Sequence, residues 1–188
     1  MKRELDEKLC KDFPLTFRDR HGDMRATCMV WGFPGSGWEP LIRRAAEKIE
    51  PIIQKFVEEG GEKDGVHRLT SMQVKEKFGT LRWYFTLSHP EIDTIIREAT
   101  KASSETCEDC GEEGKTRGSG YVLTQCDDCY ETRIENKARD HLFYEVLGEL
   151  RKRGDLDAIT HLKEWKERQE AKKKEKDNEQ DDKKVEGS

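Results

Sequence analysis

The feature that most constrains the fold of this chain is a set of four cysteines in two closely spaced pairs. The pairs are Cys107–Cys110 and Cys126–Cys129, and 15 residues separate them, giving the pattern C-x2-C-x15-C-x2-C. Two thiolates separated by two residues can reach one metal ion from a single tight turn, and two such turns complete a tetrahedron. The spacing therefore predicts one structural Zn²⁺ bound by Cys107, Cys110, Cys126 and Cys129.

Two other uses of paired cysteines remain open from the sequence alone. One is a pair of disulfides, which a reducing cytosol disfavours. The other is a redox-active C-x-x-C, although neither pair follows a predicted βαβ unit. If a metal is bound, four thiolates leave no position for the water that a catalytic zinc holds. We therefore expect the metal to stabilise the fold.

The residues around the cysteines predict a knuckle, a small hairpin and a helix, in that order. Gly111 follows the first pair, where a positive φ lets backbone N–H groups turn towards the sulfurs. Residues 115–124 predict a hairpin that turns at Gly118-Ser119-Gly120. Asp128 is in position to cap a helix beginning at Cys129. This arrangement resembles the treble-clef class of zinc fingers.

The composition explains why a metal would be useful. Charged residues make up 40% of the 188 residues and hydrophobic residues 33%, below the roughly 45–50% apolar content of typical globular chains. Metal binding can supply folding free energy that a small core lacks. Part of the deficit lies in residues 163–188, where 18 of 26 residues are charged and the signs cancel. The net charge of -5 therefore belongs to residues 1–162.

The remaining pattern predicts an α+β fold, with a small antiparallel hairpin packed by amphipathic helices. Pro40 suits the first turn of a helix that Pro51 should kink. Ser88 and Glu91 have the spacing of a capping box for a second helix. Residues 29–38 are expected to form a short strand that runs into an ordered loop.

The best strand pattern in the chain turns at Phe78-Gly79. Apolar side chains fall on even positions before this turn and on odd positions after it, which predicts a hairpin with one dry and one wet face. The residues expected on the dry face are Val66, Thr70, Met72, Val74, Leu81, Trp83, Phe85 and Leu87.

We predict three segments from these patterns. Residues 1–104 form the α+β domain, residues 105–153 the four-cysteine finger with its following helix, and residues 154–188 a charged tail that passes from helix to disorder. No apolar run approaches the ~20 residues that span a bilayer. The first residues also lack the apolar stretch of a signal peptide, so the predicted compartment is the cytoplasm.

Two surfaces are candidates for binding a ligand or partner. The first is the wet face of the hairpin, where three cations beside an aromatic ring suit a phosphate-bearing ligand or an acidic protein surface; these residues are Lys75, Lys77, Arg82 and Tyr84. An ordinary solvated hairpin face is the alternative. The second surface contains Trp31, Phe33 and Trp38 on a Gly-rich loop, for which packing onto the neighbouring helix is the alternative.

No catalytic residue is predicted. Phosphate-binding, dinucleotide-binding, zinc-protease and serine-hydrolase motifs are absent from the sequence. His89-Pro90-Glu91 before the first cysteine pair resembles part of a zinc-deaminase pattern, but Thr106 occupies the expected proline position. Asp140-His141 alone does not supply an open nuclease metal site. We expect a non-enzymatic protein.

Three segments together resemble a family of small phage and prophage proteins with no established activity. They are residues 29–33 (MVWGF) with Gly37-Trp38, residues 74–84 (VKEKFGTLRWY), and the paired C-x-x-C. The similarity covers about residues 13–131, and the charged C-terminus lies outside it. The resemblance implies a phage accessory protein that works in the cytoplasm of a host bacterium.

Three functions follow as hypotheses. The first is a zinc-stabilised accessory protein that binds a host protein or a phosphate-bearing nucleotide, with an anti-defence role. The second is a treble-clef regulator that binds nucleic acid through Lys115, Arg117 and Arg133. Against it stand six acidic residues of the finger, namely Glu108, Asp109, Glu112, Glu113, Asp127 and Asp128. The third is a metal-dependent nuclease.

Overall fold

The computed structural model describes residues 1–62, 67–118 and 120–185, with side chains described as far as residue 172. Val66 of the predicted strand and Ser119 of the predicted turn lie outside the described residues. The chain divides into two units, Met1–Thr132 and Arg133–Ser188. The predicted boundary between residues 104 and 105 differs from this division, because the cysteine segment shares hydrogen bonds with residues 35–38 and with Gly79.

The fold class is α+β, as predicted. The elements of the described chain are α1 (Arg3–Asp12), 3₁₀ turns at Met29–Trp31 and Ser36–Trp38, α2 (Glu39–Glu58), β1 (Ser71–Lys77), β2 (Thr80–Phe85), α3 (Pro90–Ser103), β3 (Lys115–Arg117), β4 (Leu123–Gln125), α4 (Asp127–Arg153) and α5 (Leu156–Val185). β1 pairs with β2 and β3 with β4, each in a two-stranded antiparallel sheet.

Helix α2 provides the largest apolar face of the first unit. Pro40 lies in its first turn, as predicted, where its missing N–H removes no hydrogen bond. The helix continues past Pro51 to Glu58. Its buried side recurs at helical spacing and includes Ile42, Ala46, Ile49 and Ile53, none of which has measurable exposure.

The hairpin formed by β1 and β2 turns at Phe78-Gly79, as predicted. Both turn residues have positive φ, 56° and 75°, which suits a two-residue hairpin turn of the primed type. Leu81 and Trp83 are buried, as expected. Met72 is exposed, contrary to the prediction, because an irregularity between Ser71 and Gln73 shifts the alternation of β1.

The prediction of a strand within residues 29–38 is wrong. The segment forms two 3₁₀ turns, separated by Gly32 at φ 81° and by Pro34. The first turn begins where the Met29 N–H donates to the hydroxyl of Thr27 at 3.1 Å. A glycine outside the β region and a proline without an N–H together interrupt any strand ladder.

The capping box predicted for α3 does not form. His89 occupies the N-cap in an extended conformation, and its side chain makes no capping hydrogen bond. The Ser88 hydroxyl instead donates to the Asp93 carboxylate at 2.9 Å. Pro90 at the first helical position, together with Glu91 and Asp93 in the first turn, favours the start of the helix without that cap.

An aromatic stack occupies the centre of the core. Phe17 stacks on Trp83 with ring centroids 5.6 Å apart and meets Phe33 edge-on at 4.9 Å. The Trp83 indole N–H donates to the buried hydroxyl of Ser71 at 2.7 Å. The polar atom of this buried ring is therefore satisfied, as burial of an indole requires.

Partly buried carboxylates hold the chain that follows α1. Glu50 of α2 accepts the backbone N–H groups of Leu15 and Thr16, both at 2.8 Å. Arg18 pairs with both carboxylate oxygens of Glu62, and the N–H of Leu69 donates to the same carboxylate at 3.0 Å. The hydrogen bond from Arg18 is the main cause that lowers the pKa of Glu62 below its ordinary 4.5.

In the second unit, the later part of α4 and α5 form a helical hairpin. Gly154 ends α4 with φ 69°, and the Asp155 carboxylate caps α5 by accepting the Ala158 N–H at 3.0 Å. Lys166 Nζ lies 3.0 Å from Asp140 Oδ1 and 4.4 Å from the Phe143 ring centroid. The described backbone of the tail is helical to Val185, which differs from the predicted change to disorder.

In the described part of the chain, no helix is both long enough and apolar enough to cross a membrane.

Glu62→Gln is expected to lower the free energy of unfolding at pH 7 by about 1–3 kcal/mol, because a mostly buried charged acceptor is lost. The folded pKa of Glu62 is lowered, so its contribution is complete above 4.5 and is lost as the pH falls through the lowered pKa. The difference from the parent chain, measured by urea denaturation, should shrink as the pH falls below 4.5.

The exposed carboxylate of Glu59 provides the control for this prediction. Glu59→Gln should change the stability little at any pH. A difference between Glu62→Gln and the parent chain that stayed constant with pH would contradict the role given to the Glu62 charge.

Candidate metal centre and hairpin surface

The structure brings together the four cysteines that the sequence spacing selects. The Sγ atoms of Cys107, Cys110, Cys126 and Cys129 all lie within 4.8 Å of one another. Those of Cys110 and Cys126 are 3.6 Å apart. Four sulfurs around a tetrahedral ion, with metal–sulfur bonds of about 2.3 Å, stand about 3.8 Å from each other. The four side chains can therefore hold a metal ion with little rearrangement.

Backbone geometry positions each pair. After the first pair, Gly111 has φ 86° and its N–H donates to the Cys107 carbonyl at 3.0 Å, which closes the knuckle. Cys126 follows β4, and the N–H of Cys129 donates to the Cys126 sulfur at 3.4 Å. Helix α4 begins at Asp127 rather than at Cys129, so Asp128 lies within its first turn and is not the predicted cap.

The thiols differ in how readily they ionise. Burial disfavours the Cys107 thiolate, but backbone N–H groups of Cys110, Cys126 and Asp109 point at its sulfur and lower its pKa on balance. Burial and the neighbouring sulfurs raise the pKa of Cys110 to about 11 and also raise that of Cys129. Four thiolates at this spacing repel one another, so a bound cation is what would hold all four ionised.

The metal knuckle packs directly on the second 3₁₀ turn. The Gly37 N–H donates to the Glu108 carbonyl at 2.8 Å, and the Gly35 N–H donates to the Glu108 carboxylate at 3.1 Å. The Trp38 indole N–H donates to the Thr106 carbonyl at 2.8 Å. Three donors from one short segment therefore bind the chain immediately around the first ligand.

Gly37 makes the closest approach to the knuckle. A Cβ at this position would overlap the Cys107 carbonyl and the Gly111 N–H, and would lie 2.7 Å from the Cys110 nitrogen. Only glycine can therefore occupy the position without moving backbone. The sequence analysis did not place residues 35–37 beside the cysteine cluster. The signal that it overlooked is a Gly-x-Gly next to a large aromatic residue, which marks close backbone packing.

The two tryptophans proposed as ligand-binding residues have different environments. Trp38 is fully buried and belongs to the core, so it is not available at the surface as proposed. Its packing agrees with the alternative weighed for the loop aromatics. Trp31 is 72% exposed at the end of the first 3₁₀ turn and remains a surface candidate.

A second attachment joins the finger to the hairpin. The hydroxyl of Thr124 in β4 is buried and donates to the Gly79 carbonyl at 2.6 Å. The N–H of Glu108 donates to the Thr124 carbonyl at 3.0 Å. The turn between β1 and β2 is thus linked through one residue of β4 to the metal knuckle.

We define the outer hairpin surface as Lys75, Lys77, Phe78, Arg82 and Tyr84. Lys75 and Arg82 are cross-strand neighbours in the hairpin register. Lys75 Nζ lies 5.5 Å from the Tyr84 ring centroid, and Lys77 Nζ lies 5.3 Å from that of Phe78. Among the described residues, none of these three cations forms an ion pair with a carboxylate.

Phe78 is the member of this surface that the sequence interpretation missed. It is 68% exposed and is the one non-glycine residue with positive φ in the described chain. A bulky residue is disfavoured in that conformation, so Phe78 is held there by its surroundings. The available signal was a Phe-Gly dipeptide at a turn where Asn-Gly or Gly-Gly is usual.

Two cationic side chains of the finger, Lys115 and Arg117, pair with a carboxylate of the finger itself. Lys115 Nζ lies 3.0 Å from Asp127 Oδ1, and Arg117 donates to the same oxygen. The Arg117 guanidinium also lies 4.6 Å from the Tyr130 ring centroid. The hydrogen bonds from Arg117 and Lys115 lower the pKa of Asp127. These contacts brace β3 against the start of α4.

Asp140 and His141, considered for a nuclease site, have other partners. Asp140 pairs with Lys166, and His141 lies 3.6 Å from the Glu145 carboxylate at the surface. Within the residues that the structure describes, the four cysteines are the one cluster of His, Cys, Asp and Glu with metal-binding geometry.

Comparisons of the chain with protein-family models, with curated proteins and with solved structures find no match.

Gly37→Ala is expected to weaken metal binding at least tenfold and to lower stability by about 1–3 kcal/mol, because the added methyl overlaps the knuckle backbone. Chelator competition and thermal unfolding measure the two effects. Gly120→Ala is the control, since a Cβ there has nothing within 4 Å. Equal metal affinity in the two variants would contradict the close approach described above.

Cys107→Ser is expected to abolish tight metal binding, because a serine hydroxyl is a poor replacement for the buried thiolate. Metal content after dialysis measures this directly. Cys28→Ser provides the matched control, since Cys28 is an exposed free cysteine outside the cluster. Retention of the metal by Cys107→Ser with unchanged stability would refute a role for Cys107 as ligand.

Proposed function

We propose that this chain is a non-enzymatic binding protein, in which a structural Zn²⁺ holds a treble-clef-type finger and the outer hairpin surface binds an anionic ligand. The observation that carries the proposal is the outer hairpin surface itself. Three cations lie beside two exposed aromatic rings, and the described residues supply them with no carboxylate partner. The chain as a whole nevertheless carries a net charge of -5, so a group of cations without carboxylate partners stands out.

The donor set supports zinc as the metal. Four cysteine sulfurs in a compact cluster suit a tetrahedral thiophilic ion, of which Zn²⁺ and iron are the usual examples. Zinc fits a role in stability, because it is redox-inert and four thiolates close its coordination. The order of knuckle, β3–β4 hairpin and α4, with Cys129 in the first turn of α4, supports the treble-clef description.

The chemistry of the outer hairpin surface favours a ligand that carries phosphates or clustered carboxylates. Arg82 can form a bidentate pair with either group, and Lys75 stands opposite it across the strands. Phe78 and Tyr84 add exposed aromatic area beside the charges. A phosphate-bearing nucleotide and the acidic surface of a host protein both fit this description. The resemblance to phage proteins adds an anti-defence role in the bacterial cytoplasm.

The contacts of the finger do not favour the second hypothesis, a treble-clef nucleic-acid regulator. Lys115 and Arg117, two of its three predicted phosphate contacts, pair with Asp127. Breaking those pairs to bind phosphate costs part of the attraction gained. The nuclease hypothesis has less support, because Asp140 and His141 make other contacts and the cysteine cluster has no open position.

Replacing Lys75, Lys77 and Arg82 together by Ala is expected to weaken ligand binding at least tenfold, because each cation contributes to anion recognition. The ligand is sought first by native mass spectrometry of the purified protein, which detects a retained nucleotide. Capture from bacterial lysate at low salt follows, with washes at rising salt. Titration calorimetry with whatever is retained then compares the variants.

The control replaces Lys8, Lys48 and Lys55 by Ala, which removes the same charge from exposed positions outside the outer hairpin surface. This variant should bind like the parent chain. Equal loss in both triple variants would mean that net charge, not the hairpin, controls binding. Binding that survives in the hairpin variant with unchanged metal content would overturn the proposal.

A further inference from the structure

Two aromatic rings of the outer hairpin surface each lie beside a lysine. The Tyr84 ring centroid lies 5.5 Å from Lys75 Nζ, and the Phe78 ring centroid lies 5.3 Å from Lys77 Nζ. Tyr84 is 41% exposed and Phe78 68%, and neither lysine has a carboxylate partner among the described residues. The surface therefore repeats one unit, a flat exposed ring with a positive charge next to it.

The hairpin register places the two ring–lysine pairs along one face. Arg82 pairs with Lys75 across the strands and lies two residues from Tyr84 on the same face. Lys77 follows Lys75 on that face, and Phe78 comes next, in the turn. Alternate residues of a strand lie about 7 Å apart. The order along the face is therefore one ring, then the three cations, then the second ring.

A strand of nucleic acid repeats the complementary unit. Each nucleotide has a planar base, which stacks on an aromatic ring, and a phosphate, which pairs with Lys or Arg. One base can stack on only one ring, so a mononucleotide leaves the second ring–lysine pair unused. A carboxylate-rich protein surface pairs with the cations but supplies no repeated planar group for the rings. The bases of a duplex already stack on each other, so only an unpaired strand can place them on the two rings.

We infer that the outer hairpin surface binds single-stranded nucleic acid, with one base stacked on Tyr84, another on Phe78, and the phosphates between them paired with the three cations. This inference rests on the proposed function, because it names the ligand class for the surface given there. It places nucleic acid on the hairpin and not on the finger, where Lys115 and Arg117 pair with a carboxylate.

The turn between β1 and β2 holds Phe78 in place for stacking. The N–H of Gly79 donates to the Glu76 carboxylate at 2.6 Å, and its carbonyl accepts the Thr124 hydroxyl at 2.6 Å. Both backbone groups of Gly79 are thus fixed, which keeps the preceding Phe78 in its positive-φ conformation. A ring that is already held at the surface loses little conformational freedom on binding.

The full-length, metal-loaded protein provides the test, with a fluorescently labelled oligothymidylate of about 12 nucleotides as the probe. Fluorescence anisotropy should give a dissociation constant of about 100 µM or tighter at physiological salt. Oligouridylate of the same length distinguishes RNA from DNA as the preferred strand, and ring-dependent binding of either supports the inference. The oligothymidylate–oligoadenylate duplex and inorganic polyphosphate, which offer no free bases, should compete about tenfold or more weakly.

Substitution of the rings tests stacking separately from charge. Tyr84→Leu and Phe78→Leu should each raise the dissociation constant about fivefold or more, because a base loses its aromatic partner while the cations remain. Tyr84→Phe keeps the ring and should bind like the parent chain. Tyr144→Leu is the matched control, because the Tyr144 ring is 62% exposed and lies 4.8 Å from Lys166 Nζ, but that lysine pairs with Asp140. It should leave binding unchanged. Metal content and the midpoint of thermal unfolding check that each variant keeps its fold.

The salt dependence of binding counts the phosphate contacts. Three cations on a single strand predict a slope of about -2 when the logarithm of the association constant is plotted against that of the salt concentration. Lys75→Ala should reduce the magnitude of this slope by about 0.7. Lys48→Ala, at an exposed position outside the outer hairpin surface, should leave the slope unchanged.

The outcomes separate this inference from the proposed function. The inference alone is overturned if polyphosphate or a polyglutamate peptide binds as tightly as the oligonucleotides and depends on Lys75, Lys77 and Arg82 but not on the rings. It is also overturned if the parent chain binds neither oligonucleotide, or if Tyr84→Leu and Tyr144→Leu behave alike. Oligonucleotide binding that survives replacement of all three cations by Ala would overturn the inference and the proposed function together.

Discussion

The close approach of Gly37 to the metal knuckle is the contact on which much of the first unit depends. Backbone meets backbone there, with no side chain between Gly37 and the carbonyl of Cys107. The next residue, Trp38, is fully buried in the core and donates to the Thr106 carbonyl. The position of the core tryptophan and that of the knuckle are therefore set together. Because Trp38 and the knuckle share these contacts, a change in the knuckle backbone would also disturb the packing of the core tryptophan.

The same knuckle also reaches the outer hairpin surface. Glu108 bonds to Thr124, and the Thr124 hydroxyl holds the Gly79 carbonyl in the turn. Phe78, the residue before Gly79, keeps a conformation that a bulky side chain disfavours. A free two-residue turn would relax this strain, whereas a turn anchored at Gly79 can retain it. The nearest cysteine of the cluster, Cys107, lies 29 residues after Phe78 in sequence, yet its knuckle is linked through Thr124 to the turn that presents Phe78.

Features set by neighbours in sequence could be predicted, and features set by distant contacts could not. The cysteine spacing identified the four-cysteine cluster, and the period-two pattern located the β1–β2 turn, because both depend on local geometry. The exposure of Met72 depends on a strand irregularity that no local sequence pattern predicts. The burial of Trp38 depends on Thr106, 68 residues later. The capping box expected for α3 does not form, because the Ser88 hydroxyl donates to the Asp93 carboxylate instead.

The cationic side chains of the finger and those of the outer hairpin surface differ in whether a carboxylate pairs with them. In the finger, Asp127 neutralises Lys115 and Arg117, so these cations hold β3 against α4. On the outer hairpin surface the cations have no such partner among the described residues, and their desolvation on binding must be compensated by the ligand.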